Sequence, residues 1–545
     1  MQKKHSLSSR SRTLALKKEL FSFTGGSRIF SSSPVGGGDS RIEASFSEET
    51  FGGIVKTVMQ RRQKTFVEYY GGFWLWPVVV LVVAGCSSVA GARQVERSWL
   101  AGDHHIHSRY STGWNWDSNP PLPIIGGDAI YPIPMNALMA HHFGLDWMVA
   151  TDHGGPNHSR VNMERAYPEL LQSREVVPDL IQFYGMEFDT PGAIHSSLII
   201  PHSHEEVDDL YDVEHRYAKY DVHPRDTTLD TEASMLEALG YMERMDRQPL
   251  LLANHPSRSA TGLGVYGAHD PAEMRGWNDT APNVAVGMEG APGHQAYELN
   301  RDGSLGRGRP RGAYGNFPTM GGFDQMTARL GGYWDSMLAE GRHWWITANS
   351  DAHVNWREGG ADFWPGEYSK TYVWAARSYD DILNGIREGR VFVTTGDLIS
   401  QLHVDATSID GGVAVGIGGT LEVAAGTTVR VTVKFLDPTG TNHRGENPEV
   451  VRVDLIGGDI TGRFEDPNTD FNPTTRVLHR FESTEWERDG VYNVFSYTIE
   501  NIETSQYVRI RGTNSSQLEP EPDPIGEDPW SDLWFYSNPV FIKIR

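Results

Sequence analysis

Cysteine is almost missing: Cys86 is the only one in 545 residues. A disulfide framework within the chain is therefore excluded, and so is a zinc site built on several thiolates. Positive charge is short as well, with 48 Lys and Arg against 71 Asp and Glu and a formal net charge of −23. Nucleic acid binds to basic faces, so this balance argues against a phosphate-backbone partner and reads as a solvated, soluble surface. Long apolar runs are missing too. The one sustained run, residues 73–85, falls short of the roughly 20 residues that cross a bilayer as a helix. The composition, 39% hydrophobic and 22% charged, is that of a folded protein, and the length allows more than one domain.

The apolar run ends in Val83-Ala84-Gly85-Cys86-Ser87-Ser88 and follows Arg61, Arg62 and Lys64. A basic start, a short apolar stretch and a small-residue box before a cysteine together resemble a bacterial lipoprotein signal. The resemblance implies a signal peptide at 59–86, a lipid on Cys86 and a polar tether at 87–97. It implies placement at the bacterial cell envelope, lipid-anchored or periplasmic or extracellular. Residues 1–58 are rich in Ser, Gly, Lys and Arg without sustained periodicity. Disorder is expected there, with Met59 as the true start.

Chemistry enters at Gly102-Asp103-His104-His105-Ile106-His107. Residues two apart on a strand share a face, so His105 and His107 project side by side while Ile106 packs. Two imidazoles on one face make half of a metal site. The same grammar recurs along the chain. Trp147 to Ala150 leads to Thr151-Asp152-His153, and Leu180 to Tyr184 leads to Gly185-Met186-Glu187. Leu250 to Ala253 leads to Asn254-His255-Pro256, and Trp344 to Ala348 leads to Asn349-Ser350-Asp351-Ala352-His353. Fully apolar strands of this length imply burial on both faces, as in a parallel sheet or barrel. Ligands gathered at strand C-termini are where α/β barrels keep their chemistry. Val284 to Glu289 follows the pattern, with Glu289 either lining the site or standing on the rim. Residues 110–128, rich in Gly, Pro and Trp, read as a long loop over the site. His141 and His142 read as surface or packing residues of a helix ending at Gly144.

The joint order HxH, TDH, GxE, a later His, NHP and SDxH resembles the PHP (polymerase and histidinol phosphatase) metallohydrolase superfamily. Residues 321–353 carry Gly-Gly-Phe-Asp, Gly-Gly-Tyr-Trp-Asp and Glu-Gly-Arg before the SDxH element. That stretch is similar to the carbaryl-hydrolase-like branch, and the resemblance covers roughly 98–545. It implies two or three divalent ions (Zn, Mn or Fe). One would be held by His105, His107, Glu187 and Asp351. A second would be held by Glu187, His195 and His255, with His202 and His204 as alternatives to His195. His153 and His353 would serve a third ion or act as proton donors and substrate clamps. Trinuclear members carry a further ligand a few residues after HxH, where this chain has Thr112-Gly113. Asp103, Asp152 and Asn254 are expected to orient ligating imidazoles. His153, His353, Asp152 and Arg109 are the expected catalytic set, with Arg109 and Arg258 able to hold an anionic group.

From about residue 398 the period becomes two: Val429, Val431, Val433 and Phe435 alternate with Arg430, Thr432 and Lys434. Short alternating strands with Gly, Pro and Asn turns indicate an antiparallel sandwich. The expected fold class is α/β: a distorted (β/α)7 TIM-like PHP barrel at 98–397, followed by a β-sandwich at 398–545. The expected function is a metal-dependent hydrolase of a small, anionic substrate, foremost a phosphoesterase using a metal-bridging hydroxide. The alternatives are a carbamate, amide or ester hydrolase and a non-catalytic, metal-containing binding lipoprotein.

Overall fold

Short apolar strands alternate with helices through the first half of the molecule. The computed structural model describes residues 96–545. The expected disordered segment, signal peptide and Cys86, with most of the tether, lie outside them. The strands of this half are β1 (Ser98–Asp103), β2 (Gly113–Asn115), β3 (Leu122–Ile124), β4 (Trp147–Ala150) and β5 (Ile181–Asp189). They continue as β6 (His195–Ile200), β7 (Leu250–Ala253), β8 (Ala285–Ala291), β9 (Trp345–Ala348), β10 (Ser369–Ala375) and β11 (Val391–Thr395).

Helices cover the sheet with their apolar stripes. Met235, Leu239 and Met242 of the helix Glu232–Glu243 are fully buried, which makes the methionine stripe core. Ser378 accepts a hydrogen bond from the Asp381 N–H and starts the helix Tyr379–Arg387, with Asp380 and Asp381 in its first turn. These helices pack on Val149, Phe183, Leu198, Leu251, Val286 and Ile346 in one core.

The rest of the chain is β structure: β12 (Gln401–Ser408), β13 (Thr420–Val423), β14 (Thr427–Leu436), β15 (Arg452–Asp459) and β16 (Arg476–Glu482). The last five strands are β17 (Glu487–Asp489), β18 (Tyr492–Ile502), β19 (Gln506–Thr513), β20 (Trp534–Ser537) and β21 (Val540–Ile544). Strands β12, β14, β18 and β17 form a separate antiparallel sheet. Its inward residues Val404, Val431, Val433 and Phe435 share a core with Leu455, Val508, Ile510 and Ile542 of the other sheet.

That other sheet is mixed and large. Its order runs β9-β8-β7-β6-β5-β4-β1-β10-β11-β20-β19-β21-β13, with β15 and β16 added on β19. Two features depart from the expectation. Strand β6 is antiparallel to both β5 and β7, whereas a parallel run was expected from apolar strands alone. Burial on both faces makes a strand apolar whichever way it runs, so composition does not report direction. The second feature is continuity across residue 398: β20 pairs with β11, register Val393 to Tyr536. The described residues accordingly belong to one compact unit.

Candidate metal centre

Strand direction decides where the functional side chains gather. Strands β1, β4, β7 and β9 end at one rim and are followed by His105 and His107, His153, His255, and Asp351 and His353. Glu187 and Glu289 stand near the ends of β5 and β8. Strand β6 runs the other way, so His195 reaches the same rim by opening its strand. Three of the seven described non-glycine residues with positive φ sit here: His255 at 30°, His294 at 56° and Asp351 at 47°. Such backbone is strained, and packing must hold it in place.

Glu187 is the hub. Its Oε1 lies 2.9 Å from His195 Nδ1, 3.0 Å from His255 Nε2 and 3.3 Å from His105 Nε2. Its Oε2 lies 3.5 Å from His107 Nε2 and 4.0 Å from His153 Nε2. Asp351 Oδ1 lies 3.1 Å from His107 Nε2, 3.2 Å from His105 Nε2 and 3.5 Å from His353 Nδ1. Ligand atoms of His105, His107, Glu187 and Asp351 lie within 4.8 Å of one another, and so do those of His153, Glu187 and His195. His107, His153 and His353 form a third such group. The expected ligands are thus brought together, with His255 joined through Glu187.

The floor is buried and the mouth is open. His105, His107 and Asp351 are almost wholly inaccessible, while His153 and His195 are each 21% exposed. Burial alone would raise the two acids. The imidazoles of His195 and His105 instead hold Glu187 well below the ordinary carboxylate range, and those of His105 and His294 do so for Asp351. Burial, reinforced by His353, holds His107 well below its usual value. Burial, reinforced by Arg258, does the same for His255. Both rings are therefore neutral, with a lone pair to offer. Burial opposes charge on His195, but Glu187 and Asp189 outweigh it and hold that ring at about 9.

The donor set fits divalent cations. Asp351 Oδ1 and His195 Nδ1 are buried and accept or donate no hydrogen bond, although each lies within 3.5 Å of other ligating atoms. Buried polar atoms normally find partners, so an orphan in each of two adjoining ligand groups, Asp351 in one and His195 in the other, fits cation binding there. Imidazole and carboxylate donors suit zinc, manganese or iron.

Neighbouring residues fix these rings. His105 Nδ1 is 2.7 Å from Glu289 Oε1, and Glu289 also accepts the His255 N–H. Glu289 therefore lines the site. Asn254 donates to Glu187 Oε1 at 3.1 Å while its own oxygen accepts from Ser197. Asp152 accepts from Ser108 and Ser111, and Ser111 Oγ meets His107 Nδ1 at 2.8 Å. Asp152 thus supports His107 through a serine. Asp103 bonds no imidazole ring; it accepts the His105 and Ser350 N–H groups.

Other expected residues have their own partners. Arg109 donates to Glu169 at 3.2 and 3.1 Å and to Tyr110, away from the cluster. Arg258 donates through Nη2 to Asp351 Oδ2 at 2.8 Å. His202 pairs with Glu206 and stacks on Tyr379, and His204 is exposed.

Two participants were not anticipated. Asp128, at the end of the long loop, has Oδ2 3.0 Å from His153 Nε2 and 3.2 Å from His353 Nε2. His294 lies between Asp351, 3.0 Å from Nε2, and Asp362, 2.5 Å from Nδ1. Burial opposes its charge, yet these two carboxylates outweigh burial and hold His294 at about 10. A signal for His294 existed in Pro292-Gly293-His294 following β8, the same strand-then-ligand grammar. Asp128 carried none, because a loop delivers it.

No protein-family model matches the chain, and neither does any curated protein or solved structure. Fold and site alone define the class: a mixed α/β protein whose large sheet carries, at one rim, a buried His, Asp and Glu cluster at metal-binding spacing.

Proposed function

We propose that this protein is a metal-dependent hydrolase of the PHP type, foremost a phosphoesterase. One observation carries the reading. Unpartnered buried atoms of Asp351 and His195 lie in two adjoining ligand groups, His105, His107, Glu187 and Asp351 in one and His153, Glu187 and His195 in the other, with His255 joined through Glu187. The sheet from β1 to β9 with β10 is read as the distorted barrel, and the strands beyond residue 398 as its sandwich. His105, His107, Glu187 and Asp351 would hold one cation, and Glu187, His195 and His255 a second. Asp128, His153 and His353 gather beside them as the donors for a third. Bound there, such cations supply an acidified water and stabilise charge on the oxygen under attack. The chain needs no serine or cysteine nucleophile.

The residues do the rest. Glu289 and Ser111 hold the tautomers of His105 and His107. With two cations only, His153 and His353 would instead serve as proton donors to the leaving group or as substrate clamps. Likeness of residues 321–353 to the carbaryl-hydrolase branch keeps carbamate or amide cleavage as the second reading. The lipoprotein-like segment ending at Cys86 supports placement at the cell envelope, with the membrane contacted through the lipid.

The deciding experiment is metal analysis followed by parallel assay of an aryl phosphate, an aryl carbamate and an aryl ester. Phosphate turnover lost to a chelator and restored by Mn²⁺ or Zn²⁺ is expected. Turnover of the carbamate alone moves the assignment to the second reading. Stoichiometric metal with no turnover favours a binding protein.

A further inference from the structure

The two oxygens of Asp351 are treated differently. Oδ2 is held twice, by Arg258 Nη2 at 2.8 Å and by His294 Nε2 at 3.0 Å. Oδ1 receives no hydrogen bond and faces His105, His107 and His353. His294 is itself fixed. Its Nδ1 lies 2.5 Å from Asp362 Oδ1, and Asp362 Oδ2 accepts the His353 and Val354 N–H groups at 2.6 and 2.9 Å.

Both nitrogens of His294 are taken up by carboxylates, Asp351 Oδ2 on Nε2 and Asp362 Oδ1 on Nδ1, and its ring is not among those whose ligand atoms gather with Asp351 at the hub. His294 is therefore a donor to the cluster's acid rather than a ligand. The chain is shaped for this approach. A Cβ on Gly293 would overlap the Asp351 Cβ and the Ser350 carbonyl, so only glycine brings His294 this close. The positive φ of both His294 and Asp351 shows that the contact is held against local preference.

We infer that His294, backed by Asp362, acts with Arg258 as a clamp that commits Asp351 to the cluster through Oδ1 alone. The inference rests on the metal-centre reading above. A carboxylate free to turn can grip one ion with both oxygens, filling a coordination position that a catalytic site keeps open. The clamp prevents that turn. It also gives Arg258 a positioning role instead of the anion-holding one its neighbouring motif had implied.

The test is calorimetric titration of the chelator-stripped full chain with Mn²⁺, with the melting temperature of the metal-free protein measured alongside. His294→Ala should weaken one equivalent about 10- to 100-fold, the range seen when a ligand's supporting partner is lost. The other equivalents and the metal-free melting temperature should stay near wild type. His294→Gln keeps a donor and should recover part of the loss. Asp362→Asn should weaken the same equivalent, and His294→Ala combined with Asp362→Asn should be little worse than His294→Ala alone. Should His294→Ala fail to fold, Asp362→Asn and His294→Gln carry the comparison. Wild-type affinity for every equivalent in these variants overturns the clamp. So does an even loss of all equivalents with a lower metal-free melting temperature, which marks a general structural role. Absence of Mn²⁺ binding by the wild type is a different failure, that of the metal-centre reading itself.

Discussion

At the scale of single residues, Glu187 concentrates the most consequence. Five imidazoles lie within 4.0 Å of its two oxygens, and both oxygens are engaged. Glu187→Gln replaces one acceptor with an NH₂ group, which repels a cation and cannot accept from an imidazole. Loss of activity of about 10²-fold or more is expected, since even changes one step removed from a ligand cost 10- to 100-fold. Bound metal, measured by elemental analysis, should fall in step. Retention of full metal content and activity would remove Glu187 from the hub. Most of this neighbourhood was legible in the sequence. His105, His107, His153, His255, Asp351 and His353 each follow an apolar strand by a few residues, and a strand end is the one place where a buried backbone can present a polar side chain to a cleft. Asp128 was not legible because the stretch 110–128, expected as a loop and found to carry the short β2–β3 pair, has no period from which to read direction. The pairing of Arg109 was hidden for a related reason. Proximity to the HxH motif does not say that Glu169 of the helix Tyr167–Val176 stands beside it.

At the scale of elements, the join between β9 and β10 is made by side chains. The Ala348 N–H donates to Thr371 Oγ1 at 2.8 Å, and that hydroxyl donates to the Ala348 carbonyl at 2.7 Å. Asn538 does the same one turn of pleat away, accepting the Ile346 N–H at 3.0 Å. Two side chains thus satisfy backbone that has no strand partner there, and β9 delivers Asp351 three residues later. Thr371→Val is nearly isosteric and leaves a buried N–H and C=O unpaired. Each such orphan costs about 1–3 kcal/mol. A clear drop in melting temperature is expected, with weaker metal binding because the Asp351 segment loosens. An unchanged melting temperature would mean that the backbone groups find water instead. Element type was well marked in the sequence, from the alternating β14 to the capped helix after Ser378. Strand direction was not: the buried Leu198, Ile199 and Ile200 of β6 carry no mark of direction, and only its pairing with β5 and β7 fixes that it runs backwards.

At the scale of the whole molecule, the period change at residue 398 marks a change of architecture without marking a break in the sheet. The sequence shows the first because burial on one face leaves an alternating pattern. It hides the second because hydrogen bonds between β11 and β20 join residues more than 130 apart, register Phe392 to Ser537 and Thr394 to Phe535. Further ties cross the same line. Asp335, inside the first half, accepts two hydrogen bonds from fully buried Arg509 at 2.9 and 2.8 Å and one from Tyr507 at 3.0 Å. Asp523 accepts from Thr319 and from the Gly321 and Gly322 N–H groups. Cutting the chain after residue 397 would leave Asp335 buried without its cation, expose the β11 edge and remove Asn538 from β9. A buried charge stripped of its partner costs about 3–5 kcal/mol, a large part of a domain's net stability of about 5–15 kcal/mol. Residues 96–397 expressed alone should therefore be insoluble or lack fixed tertiary structure. Near-ultraviolet circular dichroism and Mn²⁺ titration check this. A soluble 96–397 fragment with a cooperative melt and wild-type metal affinity would show that the first half carries its own fold and that the shared sheet is an accessory to it.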